Sequence, residues 1–184
     1  LELANTLEPD SLLVGWAKVN MTPNSPIPMA GYGKRKGASY IDVHDSVFVR
    51  TIFIENNGNK VAIVSADLLI IPPTVSRIVK SRLDEVGLNE DQIYYGATHS
   101  HSSLGAWYNT LVGRLFAGKY DSKVEQLIAE SIIKSIQLAQ VKTAKASLSF
   151  EKDLDNHDIK NRLIKGGEVE PYIRTLVFKT ENKK

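Results

Sequence analysis

The sequence contains no cysteine, which removes disulfides, thiolate metal ligands and cysteine nucleophiles together and leaves the redox compartment open. Any bound metal must therefore be taken by His, Asp, Glu or Tyr side chains. No apolar run approaches the ~18 residues of a membrane-spanning helix, so an integral membrane protein is excluded. A strong charge of one sign is missing as well. The 23 Lys and Arg against 21 Asp and Glu leave a formal charge of +2, too balanced for a phosphate-backbone binder, and no nucleic acid partner is expected. With 7 prolines and 12 glycines in 184 residues, the chain is neither collagen-like nor of low complexity. No G-x-S-x-G elbow, P-loop, G-x-G-x-x-G or H-E-x-x-H occurs, which argues against α/β-hydrolase, nucleotide-binding and zincin chemistry. Residues 1–9 show neither the basic nor the apolar stretch of a signal peptide.

What is present is an ordinary globular composition, 42% hydrophobic and 24% charged, enough for one core of moderate size. Residues 12–20 (LLVGWAKVN) read as a strand ending before Pro23, and residues 23–40, rich in proline, glycine and basic residues, read as a long surface loop of the kind that is often functional. Residues 46–55 and 60–69 flank Asn57-Gly58 and read as a hairpin, its second strand apolar on both faces as in a covered sheet. Residues 74–86 place Val75, Ile78, Val79, Leu83 and Val86 at helical spacing and stop at Gly87. Residues 92–97 read as a short strand. A second helix is expected over residues 122–140, opened by a capping box of Ser122 and Glu125. Strands follow over residues 145–150 and 172–178, and residues 179–184 form a frayed polar tail. The order predicts an α/β fold, a mixed β-sheet flanked by helices in a single domain.

Chemistry concentrates in Gly96-Ala97-Thr98-His99-Ser100-His101-Ser102-Ser103-Leu104-Gly105. In an extended segment, residues i and i+2 project the same way, so His99 and His101 can share one small site at the end of a strand, where α/β sheets gather ligands. The plain alternative is a polar loop with solvated imidazoles. Asp67 interrupts the apolar run of residues 61–71; either it accepts the second N–H of a metal-holding imidazole or it accepts local backbone N–H groups. His44, between Val43 and Asp45, and His157, between Asn156 and Asp158, read first as polar turn residues whose carboxylate neighbours raise the imidazole pKa. The cluster Lys34-Arg35-Lys36 is a solvated loop or an attraction for an anionic lipid surface or acidic substrate. Trp107 and Tyr108 either wall an apolar cleft or form core and rim.

Taken in order, six short segments give the chain a family likeness. They are residues 14–23 (VGWAKVNMTP), residues 29–33 (MAGYG), His44-Asp45 leading into Val49-Arg50-Thr51, residues 64–68 (VSADL), residues 96–102 (GATHSHS) and Asn161-Arg162. The chain resembles the amino-terminal part of the neutral/alkaline non-lysosomal ceramidase family. That resemblance implies a zinc-dependent hydrolase, an enzyme that cleaves the amide bond of N-acylsphingosine (ceramide) or a related lipid amide. It makes His99 a zinc (Zn2+) ligand and His101 the histidine beside the reacting centre. It implies that residues 1–184 are the amino-terminal part of a catalytic domain, inactive alone and weak in zinc binding, because the family's second histidine, glutamate and tyrosine ligands lie in carboxy-terminal polypeptide. Partners implied are a lipid amide substrate, that remaining polypeptide and a peripheral membrane contact; a secreted or periplasmic location comes from the same likeness. Where the family typically has Gly after T-H-x-H-S, this chain has Ser103 and Leu104. The competing function is a non-catalytic lipid- or partner-binding module that retains the fold, and a third is a family hydrolase of a different amide. Acid pH is expected to impair an imidazole metal site, because protonated His cannot ligate.

Overall fold

The computed structural model describes residues 12–155 and 158–180; His157 lies outside them. A mixed six-stranded sheet in the order β4-β3-β2-β1-β5-β6 carries three helices, the predicted α/β class. Strand β1 (Leu12–Asn20) pairs antiparallel with β2 (Phe48–Asn56), and β2 with β3 (Asn59–Ala66). Asn57 and Gly58 join β2 to β3 with φ of 48° and 79°, the two positive values that a tight hairpin turn matching strand twist requires. After β3, helix α1 (Pro73–Lys80) crosses to β4 (Ile93–Ala97), which lies parallel to β3.

Helix α3 (Ser122–Val141) is the main lid of the core, packing on β1 and β2 through Val124, Ile128, Ile132, Ile136 and Ala139. At Gly15 of β1 the approach is close enough that a Cβ would sit 2.0 Å from the Ala139 carbonyl oxygen of α3. Thr51 and Ser135 meet across the same interface through a buried 2.6 Å hydroxyl hydrogen bond. The opposite face is covered differently from the expectation. Ala62, Val64 and Ala66 of β3 are buried, but Val61 and Ile63 are only half-buried, because the helices sit on the other side. Leu12 and Val14 on that second face are covered by Ala146 and Phe178 of the ribbon β5 (Ala144–Leu154) and β6 (Tyr172–Thr180).

Several boundaries differ from the sequence reading: β3 stops at Ala66 rather than 69, β5 runs on to Leu154 rather than 150, and β6 reaches Thr180, into the expected tail. The expected helix over residues 74–86 is α1 followed by a separate 3-10 turn, Leu83–Val86, closed by Gly87 at φ 58°; Ser81, whose hydroxyl donates to the Ile78 carbonyl, marks the break. Asp121 rather than Ser122 caps α3 by accepting the Lys123 N–H, and Glu125 accepts the Tyr120 hydroxyl at 2.7 Å instead of completing a capping box. A helix absent from the sequence reading, α2 (Leu111–Ala117), is capped by the Thr110 hydroxyl, which accepts the Gly113 N–H.

Candidate active site

Strands β3 and β4 end side by side at Ala66 and Ala97, and their pairing continues into the loops: the Thr98 N–H donates to the Ala66 carbonyl and the Ser100 N–H to the Leu68 carbonyl, each at 3.0 Å. Between these two bonds His99 takes φ +57°, a left-handed conformation that costs an L-residue about 1–2 kcal/mol. The turn brings its Nδ1 to 2.8 Å from the Leu69 carbonyl oxygen. A carbonyl only accepts, so Nδ1 carries the proton and Nε2 keeps its lone pair.

His101 presents its own Nε2 3.3 Å from that of His99, with ring centroids 4.9 Å apart and planes at 76°. The structure thus brings the two histidines together, through a left-handed residue rather than an extended segment. A separation of this size suits a hydrogen bond between neutral imidazoles. With Nδ1 held by a backbone carbonyl, the chemistry of the His99 ring fits a zinc ligand through Nε2. The two rings supply part of a site: among the described residues no three His, Cys, Asp or Glu side chains gather as a metal-holding set.

The back of His101 is closed by the loop after β1. Gly31, at φ +117°, lies so close that a Cβ there would be 2.6 Å from His101 Nδ1, and that nitrogen is buried without a hydrogen-bond partner. The Tyr32 ring lies 4.7 Å from the imidazole. The Arg35 guanidinium donates to the carbonyl of Ala30 at 3.2 Å and to that of His101, and its carbon lies 4.9 Å from the Tyr32 ring centroid. Arg35 is therefore a strut between two loops, whereas Lys34 and Lys36 are exposed. Sequence reasoning missed this bracing because partners 66 positions apart leave no local pattern; the M-A-G-Y-G segment was its one trace.

Asp67 does not reach His99. Its carboxylate accepts the Phe48 N–H at 2.9 Å and Arg50 Nη1 at 2.8 Å, and its carbonyl accepts the Ser103 hydroxyl. The expected carboxylate behind His99 is corrected to the Leu69 carbonyl. The reason is that β3 stops at Ala66 and the chain turns at once, the Leu68 N–H donating back to Ala66 at 2.8 Å, which swings the carboxylate toward β2. Asp67 instead ties β2, the end of β3 and the histidine loop together. His44 is exposed, and its Nδ1 lies 2.9 Å from the Asp45 carboxylate; that hydrogen bond, with the Asp45 charge, raises the imidazole pKa above its usual value. Trp107 is fully buried, its Nε1 donating to the Leu104 carbonyl, and Tyr108 packs half-buried against it and Phe116: core and rim. A cleft of about 250 Å³ opens between the loops, with Ile27, Met29, Val47 and Leu104 giving an apolar lining and His44, Asp45 and Ser102 part of its rim.

Two imidazoles thus converge at the carboxyl ends of the parallel strands of a mixed α/β sheet, the place where such sheets gather ligands. Residues 12–165 match the model of the neutral/alkaline non-lysosomal ceramidase amino-terminal region, and the chain belongs to that family. The fold is shared with the neutral ceramidase from Pseudomonas aeruginosa, at 23% identity and a TM-score of 0.82 over 95% of this chain and 30% of that one. It is also shared with a ceramidase complexed with C2, at 24% identity and a TM-score of 0.79 over 94% of this chain and 29% of that one. The chain thus spans less than a third of the length of these ceramidases. Among the described residues no helix is long and apolar enough to cross a membrane.

Proposed function

We propose that this chain forms the amino-terminal part of a zinc-dependent hydrolase that cleaves the amide bond of N-acylsphingosine or a related lipid amide. The observation that carries the reading is the His99 Nε2 lone pair, oriented by the Leu69 carbonyl and faced at 3.3 Å by His101 Nε2, in a member of the ceramidase family. Bound zinc supplies Lewis-acid polarisation of the amide carbonyl and a water of pKa near ~7. His99 holds the metal through Nε2, its ring fixed from behind by a backbone acceptor. His101 moves a proton at Nε2, the one ring nitrogen that Gly31 and Tyr32 leave approachable. The apolar cleft beside Ser102 offers a lining for a hydrocarbon chain. Catalytic zinc normally has three protein ligands, so further ligands come from additional polypeptide, as does completion of the substrate site. A secreted or periplasmic setting belongs to the same proposal.

Titration calorimetry of Zn2+ into the chain tests the shared-site reading. Binding weaker than micromolar, and weaker again in His99→Ala, is expected. Submicromolar one-to-one binding would show a complete site within these residues and overturn it. In a longer polypeptide carrying this chain, hydrolysis of N-acylsphingosine is expected to need zinc and to fall at least about a thousandfold in His99→Ala; activity that survives that change, or survives chelation, defeats the hydrolase assignment.

A further inference from the structure

The two imidazoles of the candidate site are held in different ways. His99 is oriented by a hydrogen bond, its Nδ1 donating to the Leu69 carbonyl at 2.8 Å. His101 has no such anchor. Its Nδ1 is buried without a partner, and an imidazole whose second nitrogen is unclaimed has no polar contact to fix its rotation. Its Nε2 nevertheless stands 3.3 Å from that of His99, so the restraint on this ring must come from packing and from its backbone.

The loop after β1 supplies both. Its 3-10 turn, Gly33–Arg35, is closed by the Arg35 N–H donating to the Tyr32 carbonyl and the Lys36 N–H to the Gly33 carbonyl, each at 3.0 Å. In a 3-10 turn, side chains at i and i+3 eclipse, so Tyr32 and Arg35 leave the turn on one side, and that side meets the histidine loop. The Tyr32 ring lies 4.7 Å from the His101 imidazole, with planes inclined at 44°. Arg35 Nη1 donates to the carbonyls of Ala30 and His101, and the guanidinium carbon stands 4.9 Å from the Tyr32 ring centroid. One cation thus ties the backbone of His101 to the loop and backs the aromatic ring that lies against the imidazole. Arg35 is half-buried in this arrangement, while Lys34 and Lys36 on either side of it are exposed. The turn itself is seated firmly: the Gly31 N–H donates to the Phe116 carbonyl of α2 at 2.8 Å, and the Tyr40 hydroxyl donates to the Ser25 carbonyl at 2.8 Å across the base of the loop.

We propose that Arg35 and Tyr32 are positioning residues for His101: they hold its Nε2 toward His99, as the Leu69 carbonyl orients the neighbouring ring, and act through the histidine rather than on a substrate. A guanidinium suits this role because its planar fork can span two carbonyls while its face stays on an aromatic ring, a combination that the compact ammonium of lysine does not reproduce. Displacing a reacting group by about 1 Å can cost about a hundredfold in rate, so loss of the clamp falls on turnover rather than on substrate binding. The consequence in turnover rests on the hydrolase reading; the clamp itself needs neither zinc nor substrate.

Two measurements test the proposal. In the purified chain, nuclear Overhauser contacts between the Tyr32 and His101 rings should be strong, and in Arg35→Ala they should weaken severalfold while those between Trp107 and Phe116 in the core persist. In a longer polypeptide carrying this chain, Arg35→Ala should lower kcat about tenfold to a hundredfold with KM within about twofold. Arg35→Lys should keep several times more kcat than Arg35→Ala, Tyr32→Phe should keep more than Tyr32→Ala, and Lys34→Ala should change neither constant. In a His101→Ala background, Arg35→Ala should cost less than about twofold more, because a residue that acts through His101 then has nothing left to position. Ring contacts unchanged in Arg35→Ala, a loss confined to KM, or a loss of full size in the His101→Ala background would overturn the proposal. Should Arg35→Ala lose its core contacts as well, Arg35→Lys carries both measurements. A longer polypeptide in which no form hydrolyses N-acylsphingosine defeats the hydrolase reading alone, and the ring contacts then decide whether Arg35 and Tyr32 hold His101.

Discussion

His99 holds two properties that conflict: a side chain suited to a metal and a backbone angle suited to glycine. At most left-handed positions glycine relieves strain that alanine keeps. His99→Gly is therefore expected to be more stable to urea than His99→Ala, by about 1 kcal/mol, although glycine ordinarily destabilises relative to alanine. Equal stabilities, or the reverse order, would show that residue 99 is not held in the left-handed region. Strain kept at a residue with an outward lone pair is the pattern of a functional position. The sequence could expose His99 and Asp67 as chemically odd residues, but not their partners. The Asp67 carboxylate is claimed by Phe48 and Arg50, which a reading along β3 alone does not meet. The Leu69 carbonyl that orients His99 is a backbone group and has no letter in the sequence.

Among the elements, those whose apolar residues face the core were legible. Helix α3 follows its inward stripe, and Asn57-Gly58 marks the β2–β3 turn by its own chemistry. Helix α2 was not legible, because it has only seven residues, Leu111, Val112 and Leu115 point outward, and of its apolar residues only Phe116 packs inward beside the small Gly113 and Ala117; period analysis needs a longer core-facing stripe. The strongest element-level constraint lies at Gly15, where β1 and α3 approach more closely than any side chain permits. Gly15→Ala must push α3 from the sheet, and a stability loss of at least about 2 kcal/mol is expected in urea denaturation. A loss below half of that would mean the contact is looser than described.

At the scale of the whole molecule, the sheet is firm in one half and thin in the other. Helix α3 covers β1 and β2, whereas the ribbon of β5 and β6 joins the sheet by the register pairs Leu13 with Lys145 and Val14 with Ala144 and has Ala146 as the only buried residue of β5. Two strands with little buried surface open locally at low free-energy cost. Native-state amide exchange over residues 150–154 should run at least about tenfold faster than over β2; equal protection would contradict this division. The same geometry sorts the two ends of the sheet. The loops at the carboxyl ends of β1, β3 and β4 hold the histidines and the Arg35 brace, while the Asn57-Gly58 turn caps the far end, one strand length away. A fluorophore, affinity handle or surface anchor grafted into that turn would hang at the pole remote from the histidine pair, so the molecule can be immobilised or tracked with that end left bare.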